Sequence, residues 1–389
     1  MNQRDLAELK RRLNPEKRNP SVICGCYVDH VGNPITSFAL SVGMLSEQEN
    51  EKYMSLFRKV LAGQLGQTLM PIAVPEEAPG EEGVLTTLLR ARDSGLEDED
   101  AVRSLFDRLI AGVRAEHPDL QSVNEAQTAD NWLILLLHDD MDVRHRGRDG
   151  EIDPDQSDRA FSYVLCAVCP VKQARPALRY DPMDSIFRDR DAEWLAGAPA
   201  LGFLFPLYEG GAADVNTLLF FSKDSGDAHP AFLEAAFQLE AVMPAAEQTE
   251  AFQSVLAESL GAECSLEVVQ EMHEAVSTLI AEQQQDRDAE PLMLSRKDVA
   301  RVLSDSGVSA EKVEAFQNGF EEAFGAGAVL PAVNLVTPRQ FRVDLPGVSV
   351  RADAEHKDLL ETRVIDGRSY LLIPIDGELE VNGQPVVAR

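Results

Sequence analysis

Three groups of residues in this 389-residue chain carry side chains suited to chemistry. The first is His138, Asp140 and Asp142, which follow an apolar run over residues 132–137. In an extended chain these three share one face and Asp139 points the other way. Carboxylates at a strand end suit magnesium or manganese, such an ion activates water, and an imidazole serves as base or ligand. The plainer reading is turn formation, for which acidic residues after a strand are well suited. The second group is Arg144, Arg146 and Arg148, beside His145 and followed by Arg159. Guanidinium forks match phosphate or carboxylate, so these arginines are candidates for an anion pocket. Pairing with Asp139, Asp142, Asp153 and Asp155 is the favoured alternative. The third group is Cys24 and Cys26 with Cys166 and Cys169. Four thiolates would make a tetrahedral zinc site. The favoured reading is core packing, because all four lie in apolar strands and free cysteine is commonly a small buried residue.

These residues need elements to hold them. Residues 132–137 and 161–168 are apolar on consecutive positions, the pattern of interior strands covered on both faces. The Asp-, Arg- and Gly-rich stretch between them is read as a long loop, a length usually tied to function or mobility. Residues 22–30 and 34–42 are expected to form a hairpin around Gly32-Asn33. Ser46 with Glu49 is a capping box that opens a helix with Tyr53, Leu56, Phe57, Val60 and Leu61 on its buried stripe. Residues 71–83, rich in Glu, Pro and Gly, are read as an exposed loop, and residues 200–207 and 215–222 as two further strands. The fold class expected is α+β: a mostly antiparallel sheet with helices on one face, plus a small C-terminal α/β module. The main domain is placed at residues 1–281, a polar linker at 282–291, and a helix-plus-hairpin module at 292–389. Asp366-Gly367 and Asn382-Gly383 mark hairpin turns in that module.

Composition narrows the function classes. Hydrophobic residues make up 44% of the chain and charged residues 26%, so it can bury a sizeable core. The net charge of −30 opposes bulk binding to nucleic acid or anionic lipid. Residues 234–290 hold thirteen acidic residues and one basic residue, Arg287. Solvated helix faces explain that block, and a docking face for a basic protein partner is the sharper reading. No apolar run approaches the ~18 residues of a membrane span. Five cysteines do not suggest a disulfide framework, so a cytoplasmic location is expected. Phosphate-loop, dinucleotide, zinc-protease and serine-hydrolase signatures are absent.

Several motifs occur in a recognisable order: Gly25-Cys26-Tyr27-Val28, Phe161-Ser162-Tyr163, Cys169-Pro170-Val171-Lys172, Gly202 through Pro206, Met243 through Gln248, and Glu361 through Gly367. Together they resemble a bacterial family known as domain of unknown function 4317 (DUF4317). The resemblance spans the chain and implies a bacterial cytoplasmic protein, and it transfers no activity, cofactor or catalytic residue. Cys24 departs from the family's Gly-Cys-Tyr pattern, which weighs against the cysteine site. The function expected is therefore a non-catalytic protein- or ligand-binding adaptor. The alternative is a metal-dependent hydrolase built on His138, Asp140 and Asp142, with the arginines holding an anionic substrate. No cofactor is favoured, with zinc or manganese as the minority possibilities.

Overall fold

The computed structural model describes residues 1–14, 22–77, 83–116, 130–143, 159–174, 177–190, 193–286, 288–375, 377 and 379–387. They fall into two compact units, Met1–Ala245 with Arg287–Glu290, and Ala246–Asp286 with Pro291–Arg389.

The first unit opens with helix α1 (Gln3–Arg12), the hairpin β1 (Val22–Val28) and β2 (Pro34–Ser41), and helix α2 (Glu47–Val60). Strand β3 (Leu69–Ala73) and helices α3 (Val84–Asp93) and α4 (Glu99–Glu116) follow. The long strands β4 (Asn131–Val143) and β5 (Arg159–Gln173) come next, then β6 (Ala177–Asp181), β7 (Ile186–Arg190) and β8 (Trp194–Ala196). Strands β9 (Leu201–Phe205), β10 (Leu207–Glu209), β11 (Ala212–Asp214) and β12 (Thr217–Ser222) lead to helix α5 (Pro230–Phe237). One eight-stranded sheet runs β2-β1-β4-β5-β9-β12-β3, with β8 also paired to β5. All of its ladders are antiparallel, so the α+β class and antiparallel sheet are as the sequence indicates.

Consecutive apolar residues in β4 serve two cores. Trp132, Ile134 and Leu136 pack on one face with α3, α4 and α5. Leu135 and Leu137 pack on the other with α1 and α2. Helices thus cover both faces, where the sequence reading placed them on one. The reason lies in β4 and β5 themselves: a strand apolar on both sides must be covered on both. Strand β3 takes up the first residues of the stretch expected as a loop, 71–83. It is the outermost strand of the sheet, where Pro71 is tolerated because one side of an edge strand has no hydrogen bonds to make.

Strands β6 and β7 form a separate two-stranded ribbon. The register pairs Tyr180 with Phe187 and Leu178 with Asp189, which places Leu178, Tyr180 and Phe187 on one face. Arg179 pairs with Arg188 on the other. The tip residue Met183 is 94% exposed, Leu178 70% and Phe187 65%.

The second unit begins with helices α6 (Ala245–Leu260) and α7 (Leu266–Gln285), followed by β13 (Met293–Ser295), α8 (Arg296–Asp305), α9 (Ala310–Phe324), β14 (Val329–Pro331) and α10 (Ala332–Leu335). Three hairpins complete it: β15 (Gln340–Leu345) with β16 (Val348–Asp353), β17 (Glu361–Ile365) with β18 (Arg368–Leu372), and β19 (Leu379–Val381) with β20 (Gln384–Val386). Phe252 and Leu256 of α6 and Met272 and Val276 of α7 share a core with Leu303 of α8 and Phe316 of α9. The first change of unit therefore falls near Ala245, and two more, on either side of Arg287–Glu290, fall inside the polar stretch 282–291 expected as a linker. Residues 282–285 of that stretch are the polar end of α7.

Candidate functional site

The acidic run is not a turn. Strand β4 continues through it, with Asp139 opposite Tyr163 and Asp140 opposite Ser162 on β5. Alternation sends Asp139 to the face shared with α1, where it is only 1% exposed. The last residue of α1, Arg12, donates Nε to Asp139 Oδ2 at 3.1 Å and Nη2 to Oδ1 at 3.0 Å. The Tyr163 hydroxyl donates to Oδ2 at 3.0 Å, and Arg12 Nη2 also reaches the Asp140 carbonyl at 2.6 Å. Burial pushes the Asp139 carboxyl above its ordinary range, opposed by the hydrogen bond and charge of Arg12. Burial, the Asp139 charge and its hydrogen bond push the Tyr163 phenol well above its usual value. This carboxylate is committed to joining α1 to the sheet.

His138 faces the other side and is buried. Its Nε2 lies 2.9 Å from Ser162 Oγ and 3.7 Å from Asp140 Oδ1. A serine, a histidine and an aspartate are thus close together. A nucleophile relay, however, needs the carboxylate on the imidazole nitrogen remote from the serine. Here both oxygens address Nε2, so this is not a catalytic triad. Asp142 stands opposite Ala160, and Val143 opposite Arg159, at the end of the ladder; for Asp142 and Arg159 only these strand positions are described. Arg144, Arg146 and Arg148 lie outside the described residues.

The four-cysteine site does not assemble. Cys24 is level with Leu136, and Leu136 with Cys166, so β4 separates them. Two strand spacings amount to about 10 Å, whereas sulfurs on one zinc lie about 3.8 Å apart. Cys24, Cys26 and Cys166 belong to one core and Cys169 to the other, because β5 runs straight through the Cys-x-x-Cys segment. Burial raises all four thiols, Cys24 to about 11 and Cys169 to about 12, and all four are free.

A cluster that the sequence analysis did not single out lies at the start of α5. The only group of three potential metal-ligating side chains within mutual reach among the described residues is Glu116, Asp227 and His229. Glu116 ends α4, and Asp227 and His229 lie in the loop between β12 and α5. The nitrogen Nδ1 of His229 lies 3.1 Å from Glu116 Oε2 and 3.5 Å from Asp227 Oδ2. Each carboxylate is anchored through its other oxygen: Phe232 N donates to Glu116 Oε1 at 2.9 Å, and His229 N donates to Asp227 Oδ1 at 2.7 Å. The main chain at His229 is left-handed, with φ 52°, and this conformation turns the loop into the helix. The local signals were Asp227, placed to form an Asx turn, and Pro230 at the first helical position. Glu116 is remote in sequence, so the convergence could not be read from spacing.

No described helix is long and apolar enough to cross a membrane. None of the curated proteins matches the chain. A family model described as a domain of unknown function, DUF4317, matches residues 1–384. That span runs from α1 into the last hairpin and takes in both units, and the chain belongs to the DUF4317 family.

Proposed function

We propose that this chain is a non-catalytic adaptor of the bacterial cytoplasm that binds a basic protein partner. The observation that carries the reading is the β6–β7 ribbon, which holds Leu178, Tyr180 and Phe187 on one exposed face. A two-stranded ribbon is marginally stable by itself, and exposed apolar groups that cluster mark interaction surfaces. The net charge of −30 selects against acidic partners and steers basic ones. The cytoplasmic placement rests on the free cysteines. The alternative hydrolase reading calls for His138, Asp140 and Asp142 together; His138 Nε2 lies 3.7 Å from Asp140 Oδ1, and for Asp142 only the strand position is described.

The test is affinity capture from lysate of the source cells with the full-length chain, at low and high salt. A stoichiometric basic partner is expected, released by salt and lost with Leu178→Ser combined with Phe187→Ser. Both side chains are exposed, so the pair of substitutions leaves the cores intact. Equal capture by the variant, or no stoichiometric partner, would overturn the proposal.

A further inference from the structure

We propose that Glu116, Asp227 and His229 form a binding site for a divalent transition-metal cation, for which Zn²⁺ is the probe. This site is independent of the adaptor reading. Its three ligand atoms, His229 Nδ1, Glu116 Oε2 and Asp227 Oδ2, all lie within 4.8 Å of one another. The two separations from Nδ1 are 3.1 and 3.5 Å. Zinc–nitrogen and zinc–oxygen bonds of about 2.0 Å in tetrahedral geometry put neighbouring ligands about 3.3 Å apart. Two of the three separations therefore already stand near the spacing that such an ion requires, the shorter of them a hydrogen bond that the ion would replace, and the two carboxylate oxygens lie within 4.8 Å of each other.

The supporting contacts point the same way. An oxygen of each carboxylate is held by a backbone amide, from Phe232 for Glu116 and from His229 for Asp227. Each carboxylate thereby turns its second oxygen toward Nδ1. Hydrogen bonds of this kind orient metal ligands and reduce the entropy lost on binding. Exposure is graded across the site, at 16% for the side chains of Glu116 and His229 and 48% for Asp227. The site thus has two sheltered ligands and one at the solvent boundary, where an ion would enter and retain water. One imidazole nitrogen and two carboxylate oxygens suit zinc or manganese, whereas copper(I) favours thiolates and magnesium or calcium favours an all-oxygen shell. Two carboxylates also match the charge of a dication. The ligands come from the end of α4 and the loop that starts α5, so the ion would link two helices of the same core layer. That placement indicates a stabilising role.

The experiment uses the full-length chain after treatment with a chelator and its removal. Zn²⁺ alone is titrated in by calorimetry, and thermal melts are recorded with and without one equivalent. One ion per chain and a raised Tm are expected. His229→Asn removes the imidazole while keeping a residue that tolerates left-handed backbone, and it should weaken binding at least tenfold. Asp227→Asn, at a half-exposed side chain, should also weaken binding at least tenfold, and it carries the test if the His229 variant fails to fold. Cys166→Ala should bind as the wild type does. Failure of the wild type to bind Zn²⁺ at up to millimolar concentration would overturn the proposal. Undiminished binding by Asp227→Asn, or loss on Cys166→Ala with the fold intact, would do so equally.

Discussion

Asp139 shows how one residue's environment decides between chemistry and support. Its neighbours His138 and Asp140 lie on the opposite face by strand alternation, and this much was legible from spacing. The identity of its partner was not, because Arg12 reaches it from a helix 127 residues earlier in the chain. A buried carboxylate held by a guanidinium and a phenol stabilises only as a set. Asp139→Asn replaces one of the two oxygens that accept from Arg12 with an amide N–H that opposes its donors, on an arginine side chain 22% exposed. We expect a loss of about 3 kcal/mol, the usual consequence of breaking a largely buried pair from one side. Tyr163→Phe removes one hydrogen bond and should cost about 1–2 kcal/mol. Because both act on the same carboxylate, the double variant should lose less than the sum of the two. Urea midpoints with unchanged slopes would measure this. Strict additivity, or a loss under about 1 kcal/mol for Asp139→Asn, would show that the contacts are incidental.

Elements were most legible where local signals and burial agree. Ser46 caps α2 with Glu49 returning the bond, and Ser265 caps α7. The Asp366-Gly367 and Asn382-Gly383 pairs take the positive φ values that tight hairpins need. Legibility failed where tertiary contacts overrode local chemistry. Ser309 stands at the start of α9, but its hydroxyl donates to Glu263 and does not cap the helix. Gly25 gives this scale its prediction. It sits in the middle of β1 and pairs with Phe38 of β2. A Cβ added there would lie 2.1 Å from the Phe38 ring. The glycine thus lets an aromatic ring from the neighbouring strand cover the backbone. Gly25→Ala should destabilise by about 1–3 kcal/mol through overpacking. In a Phe38→Ala background the same change should cost much less, because the clash is gone. An equal cost in both backgrounds would locate the strain elsewhere.

For the molecule as a whole, charge is the property the sequence states most directly. The chain carries 36 basic and 66 acidic side chains, and self-repulsion of that excess opposes the compact state. Local pairs oppose it in turn, but among the described residues most are solvent-exposed, as Arg4–Asp288 and Arg301–Asp298 are, and such pairs contribute at most about 1 kcal/mol. The Arg12–Asp139 pair is more sheltered and is little screened by salt. Repulsion among surface carboxylates acts over longer distances and is screened. Raising ionic strength from about 0.01 M to about 0.15 M shortens the screening length from about 30 Å to about 8 Å. Repulsion should therefore weaken more than attraction does, and the net effect of salt should be stabilising. We expect Tm to rise by about 2–4 °C, the shift that roughly 1 kcal/mol produces in domains of 150–250 residues. Sodium and potassium chloride should act alike, since the effect is screening and not binding at a site. A fall in Tm with salt would mean that short-range ion pairs outweigh the net charge.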